Sequence, residues 1–226
     1  MGKLYIVATP IGNLEDITIR AIETLKKVDI IACEDTRHTK KLLYHYEISK
    51  RLISYHSYNN KKQVENILSL MKEGLDIALV TDGGTPGISD PGPLLIRMAR
   101  ENNMEIIPIP GVSSVTTLMS VSGVASKNFC FFGFLSPKKG KRKKELERII
   151  ENGYNSIVLE SPYRVMALLE EITSIDREIK IVVGREMTKV HEEFLTGSVT
   201  SVIAELEKRE KIKGEFTILI IGKKKV

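Results

Sequence analysis

The sequence predicts an α/β fold built from two domains, and three observations support this prediction. Short apolar runs with strand character alternate with amphipathic helical patterns along the whole chain. Several of the strands are followed by loops that contain glycine and proline, as in parallel sheets that bind ligands. Small and polar residues interrupt the apolar pattern at residues 122–127. We therefore expect a first domain over residues 1–122 and a second over residues 123–226, with a cleft between them.

The first domain is predicted to contain five strands that alternate with five helices. The strands are short β-branched or apolar runs, expected at Leu4–Ala8, Ile30–Cys33, Arg51–Tyr55, Ile77–Val80 and Glu105–Ile109. The helices show apolar residues at a spacing of three to four, and are expected at Ile17–Lys27, Lys40–Tyr46, Gln63–Lys72, Leu94–Arg100 and Ser114–Val121. Asp16 or Thr18 is suited to cap the first of these helices.

The second domain shows the same alternation of strands and helices. Strands are expected at Phe129–Gly133, Ser156–Leu159, Lys180–Gly184 and Phe216–Ile221, with Glu193–Thr196 as a further closing segment. Helices are expected at Arg142–Glu151, Val165–Thr173 and Val199–Lys208. The two patterns together predict a parallel or mixed sheet in an α/β protein.

The composition is that of a cytoplasmic globular protein. The chain has 226 residues, of which 42% are hydrophobic and 28% charged. No apolar stretch approaches the roughly 20 residues that a membrane helix needs, so no membrane association is expected. Cys33 and Cys130 lie in apolar runs without metal-binding spacing, and we expect both to be reduced thiols. The four histidines show no paired spacing, so no metal site is expected.

The net charge of +5 is unevenly distributed. Residues 138–148 contain seven basic and two acidic side chains and therefore carry a charge of +5 by themselves. Such a cluster is typical either of a solvated helix start or of a surface that binds a polyanion, and its own composition does not separate the two. The basic residues at its start are Lys138, Lys139, Lys141, Arg142, Lys143 and Lys144.

One loop is unusually rich in residues that shape a binding site. The segment TDGGTPGISDPG at positions 81–92 holds four glycines and two prolines between a predicted strand and a predicted helix. Glycine allows a ligand to approach the main chain closely, and proline stiffens the rest of the loop. A surface turn needs only one or two glycines. We therefore interpret this segment as a ligand-binding loop at the carboxyl end of a strand.

Several common chemistries are not supported by the motifs. The loop lacks the Gly-Lys-Ser/Thr sequence of a Walker A loop, and the first strand is not followed by GxGxxG. Ser113 and Ser114 are not part of a GxSxG nucleophile motif. Loops of similar type follow other predicted strands, at Pro10–Asn13, Pro110–Ser114, Glu160–Arg164 and Arg185–Thr188. Such loops suit a group-transfer cofactor that brings its own reactivity.

Six motifs in order resemble one known family. They are LYIVATPIGNLEDITIRA at 4–21, EDTR at 34–37, VTDGGTPGISDPG at 80–92, PGVSS at 110–114, ESPYR at 160–164 and REMTKVHEEF at 185–194. Together they resemble the tetrapyrrole methylase family, and within it the branch that methylates the 2′-hydroxyl of a cytidine in 16S ribosomal RNA. The motifs span nearly the whole chain. Two positions depart from the family's usual residues: Tyr163, where histidine is common, and Gly83, where alanine is common.

The resemblance implies a class III methyltransferase fold with S-adenosylmethionine in the cleft between two α/β domains, and a homodimer. It implies 16S rRNA or the assembled 30S subunit as the partner. In the first domain it implies contacts to the methyl donor from Pro10, Ile11, Gly12, Asp82, Gly83, Gly84, Thr85, Ile88 and Ser113. The remaining cofactor contacts that it implies are Ser114, Glu160, Ser161, Glu186, Met187 and Thr188.

A ribose hydroxyl is a poor nucleophile at neutral pH, so a general base would accelerate its methylation. Our hypothesis assigns Glu34, Asp35 and Arg37 to the RNA, with Arg37 on a phosphate and a carboxylate near the hydroxyl. The alternative is that Asp35 and Thr36 cap the next helix. Two other functions remain open: methylation of a corrin precursor on the same fold, and a non-enzymatic RNA-binding module.

Overall fold

The computed structural model describes residues 1–56, 61–125 and 127–223. Its internal contacts divide the chain into two compact units, Met1–Ser113 and Ser114–Val226. The sequence pattern placed this division after residue 122. The difference is one helix, Ser114–Val121, which packs on the sheet of the second unit through Val115 and Leu118.

The first unit is a parallel sheet with helices on both faces. Its strands are β1 (Leu4–Val7), β2 (Ile30–Cys33), β3 (Arg51–Ser54), β4 (Ile77–Leu79) and β5 (Ile106–Ile109). Its helices are α1 (Ile19–Lys27), α2 (Thr36–His45), α3 (Lys61–Lys72) and α4 (Pro93–Glu101), and a 3₁₀ turn spans Leu14–Asp16. The strand order is β3-β2-β4-β1-β5, and every pair is parallel. The carboxyl ends of all five strands therefore meet at one edge of the sheet.

Strand alternation determines which helices cover each face of this sheet. In β1, Leu4 and Ile6 belong to a core cluster with residues of α3 and α4, whereas Tyr5 and Val7 belong to one with residues of α1 and α2. Successive side chains of a strand point to opposite faces, so burial of both sets requires helices on both sides. This explains why the strands read as continuous apolar runs.

Two helix starts differ from the sequence pattern because of their caps. Helix α1 begins after Thr18, whose hydroxyl accepts a hydrogen bond from the amide of Ala21 at 3.1 Å. Helix α2 begins at Thr36, four residues before the expected Lys40. The carboxylate of Asp35 accepts from the amides of Arg37 at 2.7 Å and His38 at 3.4 Å, which stabilises this earlier start.

The second unit contains a mixed sheet, which is one of the two sheet types that the sequence predicted. It begins with α5 (Ser114–Val121), and its strands are β6 (Phe129–Phe134), β7 (Asn155–Glu160), β8 (Lys180–Arg185), β9 (Glu193–Ser198) and β10 (Phe216–Ile220). Its other helices are α6 (Lys139–Asn152), α7 (Val165–Ile175) and α8 (Val199–Glu207). The strand order is β6-β7-β10-β8-β9, and only β6 and β7 pair in parallel.

The two faces of the second sheet are covered unequally. Residues of α6, α7 and α8 form the larger core cluster on one face. On the other face Ile157, Val182 and Leu219 pack with Val115 and Leu118 of α5. Edge strand β6 contains a register shift between Phe131 and Gly133, so Phe132 is an extra residue and is 41% exposed. Among the described residues, no helix has the length and apolar character needed to span a membrane.

Candidate functional site

Two of the predicted binding loops are joined at the carboxyl edge of the first sheet. The amide of Thr9 donates to the carbonyl of Gly84, and the amide of Gly84 donates to the carbonyl of Thr9, both at 2.9 Å. The hydroxyl of Thr9 also donates to the carbonyl of Thr81 at 3.0 Å. These bonds hold Pro10–Gly12 beside the start of the glycine-rich loop, so the residues that the resemblance assigned to one ligand lie next to each other.

Glycine is required where these loops meet. Gly84 has a φ of +86°, a conformation that other residues rarely adopt. A side-chain carbon on Gly83 would lie 3.3 Å from the carbonyl oxygen of Pro10, so the alanine common in the family needs a shift of a few tenths of an ångström. A side-chain carbon on Gly111 would lie only 2.9 Å from Cβ of Ala8, because the PGVSS loop packs against the end of β1. Three loops therefore meet closely, where little room is left for side chains.

Three carboxylates lie at the same edge of the sheet. Oδ1 of Asp82 accepts a hydrogen bond from the amide of Asp35 at 3.1 Å, which links the loop after β4 to the loop after β2. Burial, and then the charge of Asp82, raises the pKa of Glu34. Burial, with the charges of Glu34 and Asp82, raises the pKa of Asp90 to about 7. The sequence does not distinguish Asp90 as a site residue, because a loop sequence does not show which side chains turn inward.

The two carboxylates proposed as catalytic have different environments. Asp35 is the cap of α2, and the hydrogen bond from the Arg37 amide lowers its pKa. The capping alternative is therefore confirmed for Asp35, and a carboxylate with lowered basicity is a poor proton acceptor. Glu34 is half-buried with a raised pKa, which makes it the better base. Arg37 is exposed on the first turn of α2.

The remaining cofactor residues of the first unit lie at the ends of these loops. Ile88 is 49% exposed in the glycine-rich loop, and the following residue Ser89 has a φ of +66°. Thr85 lies one residue beyond the Thr9–Gly84 pair, and its carbonyl accepts from the amide of Ile88. Ser113 closes the first unit, and Ser114 begins helix α5.

In the second unit, Glu160 is buried at the end of β7. Its Oε1 accepts from the amide of Ser161 at 2.7 Å and from Nε of Arg164 at 2.8 Å. Its Oε2 is buried and has no hydrogen-bond partner among the described residues. Glu160 therefore orders the ESPYR turn through one oxygen, while its other oxygen is closed off from solvent.

The REMTK turn is held in an uncommon backbone conformation. Glu186 has a φ of +49° and Thr188 a φ of +65°. Oε1 of Glu186 accepts from the amide of Glu215 and from Nζ of Lys189, both at 2.9 Å. Burial alone would raise the pKa of Glu186, but these bonds hold it below its usual value. Such strained turns persist only where surrounding contacts enforce them, and they concentrate at functional sites.

Met187 contributes to the core rather than to an open surface. Its side chain is 7% exposed and belongs to the cluster with Leu118 and Val182. A side-chain carbon on Gly184 would lie 2.6 Å from its sulfur. Any contact of Met187 with a ligand would thus use its main chain.

The predicted RNA-binding cluster becomes the first half of α6, with one correction. Lys139, Lys141, Lys143 and Lys144 are exposed, and Lys138 is the exposed cap residue. Arg142 is instead 5% exposed and donates to both oxygens of Glu171 at 2.8 Å. Its guanidinium is removed from solvent, so the expectation that Arg142 binds RNA is wrong.

The residues of the first unit fit the methyl donor that the resemblance implies. S-adenosylmethionine carries a sulfonium and an ammonium group against one carboxylate, so a site with Glu34, Asp82 and Asp90 at its edge complements its net positive charge. Its adenosine and amino acid groups require hydrogen bonds, which main-chain groups of the three loops can supply. The buried hydroxyl of Thr81 has no partner among the described residues and is a further polar group at this edge.

The fold and these loops define a class III methyltransferase. The family model for tetrapyrrole (corrin/porphyrin) methylases matches residues 3–203. The solved structure of cobalt precorrin-4 methyltransferase superposes with a TM-score of 0.71 at 16% identity, covering 97% of this chain and 94% of that one. Uroporphyrin-III C-methyl transferase of Thermus thermophilus, complexed with S-adenyl homocysteine, gives 0.68 at 17% identity over 96% and 97%. At these identities the structures show the fold.

The chain belongs to the tetrapyrrole methylase family. A protein of Borrelia garinii subsp. bavariensis called ribosomal RNA small subunit methyltransferase I is 46% identical, over 96% of this chain and 97% of its own length. A protein of the same name from Mycoplasmopsis pulmonis is 46% identical over 99% of both chains. The predicted family, fold class and methyl donor, S-adenosylmethionine, are thereby confirmed.

Proposed function

We propose that the protein transfers a methyl group from S-adenosylmethionine to the ribose 2′-hydroxyl of a cytidine in the decoding region of 16S rRNA. The observation that supports this most is the meeting of three glycine-containing loops with the carboxylates of Glu34, Asp82 and Asp90 at one sheet edge. The name of the full-length relatives supports small-subunit rRNA as the substrate. The motif resemblance supports the cytidine and its 2′-oxygen.

The protein's part in this reaction is alignment and proton removal. When bound, S-adenosylmethionine supplies the methyl carbon and keeps the electron pair of the broken carbon–sulfur bond on sulfur. Alignment of the attacking oxygen with that bond contributes up to ~7–11 kcal/mol in favourable cases. A carboxylate oxygen of Glu34 accepts the proton of the 2′-hydroxyl as the new oxygen–carbon bond forms. Its raised pKa makes it a stronger base than an ordinary carboxylate.

Helix α6 supplies contacts to the RNA backbone in this proposal. Its exposed lysines face solvent on the first two turns, where they can neutralise phosphates. Methylation of one ribose in a folded RNA also requires an exposed nucleotide, so a single-stranded target is expected. A Lys143→Glu, Lys144→Glu variant should lose affinity for RNA and keep its affinity for S-adenosylmethionine, which titrations of the two ligands measure separately.

Two other functions compete with this proposal. The fold is shared with enzymes that methylate corrin and porphyrin precursors. Such a substrate has less need of the exposed lysines of α6 and does not explain the EDTR motif. A non-enzymatic RNA-binding module would have no use for three glycine-containing loops that meet at one sheet edge.

The deciding experiment offers three substrates to the purified protein with tritiated S-adenosylmethionine. Transfer to naked 16S rRNA or to assembled 30S subunits is expected, with no transfer to a corrin precursor. Nuclease digestion and mass spectrometry should then identify 2′-O-methylcytidine. Transfer to the corrin precursor alone would support the small-molecule enzyme. Binding of RNA without any methyl transfer would support the binding module.

The proposed substrate also determines where and with what the protein acts. An rRNA target would place it in the cytoplasm, which agrees with the free thiols of Cys33 and Cys130. We also propose that it acts as a homodimer, as the family resemblance implies.

A further inference from the structure

A wide groove lies beside helix α2 in the first unit. It has a volume of about 1130 Å³ and is open to solvent. Its apolar lining comes from Leu14, Leu43, Ile48 and Leu52, and its polar rim from residues of α2 and the segment that follows. No step of the proposed reaction accounts for it.

The rim of the groove is strongly basic. Lys40, Lys41 and Lys50 line it, and Glu47 is the one carboxylate among its lining residues. None of the three lysines forms an ion pair with a described residue. Unpaired cations beside an open groove create a positive potential that attracts a polyanion.

Helix periodicity places an aromatic ring on the same face as Lys40 and Lys41. Lys40, Lys41 and Tyr44 follow Arg37 by three, four and seven residues, so all four share one side of α2. The Tyr44 side chain is 87% exposed, which is unusual for a tyrosine. Bases of single-stranded RNA stack on exposed aromatic rings, and the backbone follows adjacent cations. The combination of cations and ring therefore matches a single strand better than a duplex.

The groove is also connected to the carboxylates of the candidate site. Asp35 caps helix α2 and its amide donates to the carboxylate of Asp82, and Glu34 directly precedes Asp35. Arg37 lies on the first turn and Tyr44 near the last, about 10 Å further along the axis. An RNA strand held along α2 would thus run towards Glu34.

We infer that the groove formed by the 3₁₀ turn, α2 and β3 binds single-stranded RNA next to the target nucleotide, with Lys40, Lys41 and Lys50 on phosphates and Tyr44 stacked on a base. This inference rests on the proposed function and deepens it. It assigns the RNA a second contact surface, on the unit that carries Glu34.

The test is the affinity for 16S rRNA as a function of salt. Replacing Lys40 and Lys41 with glutamine should reduce the slope of log K against log salt by about 1.4, since each phosphate contact to a single strand contributes about 0.7. Tyr44→Ala should weaken binding by roughly 5- to 150-fold, whereas Tyr44→Phe should bind like the wild type because its ring still stacks.

The control variant is Lys27→Gln with Lys72→Gln, which removes the same charge from exposed positions outside the groove. Thermal unfolding and S-adenosylmethionine affinity should match the wild type in every variant. The inference is overturned if the groove variants bind RNA like the control. It is also overturned if they change the sedimentation coefficient, because the groove would then be a contact between copies of this chain.

Failure of the proposed function gives a different result. A wild-type protein that methylates neither 16S rRNA nor 30S subunits contradicts that function itself. A wild-type protein that methylates RNA, together with groove variants of unchanged RNA affinity, contradicts only the assignment of the groove.

Discussion

Neighbouring residues with the same functional group have different roles in this protein. Glu34 and Asp35 are adjacent carboxylates in EDTR, and the sequence does not distinguish a base from a helix cap between them. The structure distinguishes them. The Asp35 carboxylate accepts hydrogen bonds from two amides of α2, whereas burial raises the pKa of Glu34. Asp90 was not predicted at all, since its raised pKa depends on Glu34 and Asp82 from other parts of the chain.

Glu34→Gln is expected to reduce the rate of methyl transfer by about 10²–10⁴-fold, the usual contribution of a general base. Asp35→Asn should reduce it far less, because asparagine also caps helices. The wild-type rate should rise with pH through the raised pKa of Glu34, since the base acts only when deprotonated. This rise should be absent from Glu34→Gln. Single-turnover rates between pH 4.5 and 8 measure both effects, and equal rates in all three proteins would remove Glu34 from the mechanism.

Helix α6 shows what a charge pattern predicts and what it omits. The run of basic residues correctly predicted exposed lysines at the start of the helix. It did not reveal that Arg142 is buried, because its partner Glu171 lies 29 residues further along the chain. Three-dimensional packing of α6 against α7 creates this pair, and a local sequence pattern contains no record of it.

Loss of one member of the Arg142–Glu171 pair should destabilise the protein far more than loss of both members. Arg142→Met leaves a buried carboxylate without its partner, and such changes cost about 3–5 kcal/mol. A variant with both Arg142→Met and Glu171→Leu should recover most of this loss, because no unpaired charge remains buried. Urea unfolding of the two single variants and the double variant measures the coupling. Additive losses would show that the two side chains contribute independently.

Across the whole molecule, the α/β alternation and the loops at strand ends were predictable, because apolar runs and glycine-rich turns are local features. The strand order was not, since β1 pairs with β4 and β5 rather than with β2. The assignment of α5 also required the structure, because Val115 and Leu118 cover a sheet whose strands follow them in the chain. The burial of Arg142 and the groove beside α2 likewise arise from contacts between segments that are distant in the chain.

The proposed homodimer provides a test at the level of the whole molecule. Edge strand β6 exposes Phe132 by 41% and Phe134 by 55%, and both line a cavity of about 360 Å³ with Leu135 and Ile149. An unpaired edge with exposed aromatic rings is unfavourable in an isolated protein. We therefore expect the strand to lie in the contact between two copies.

Replacing Phe132 and Phe134 with serine should dissociate this dimer. Burial of each half-exposed ring contributes about 1 kcal/mol, and two-fold symmetry counts each ring twice. The double variant should therefore lose about 4 kcal/mol, or roughly a thousandfold in dimer affinity. Sedimentation velocity across a range of concentrations measures this change. Tyr163→Ser, which removes an aromatic side chain that is 94% exposed elsewhere in the unit, is the control and should sediment like the wild type. If the double variant also sediments like the wild type, β6 is not the contact between copies.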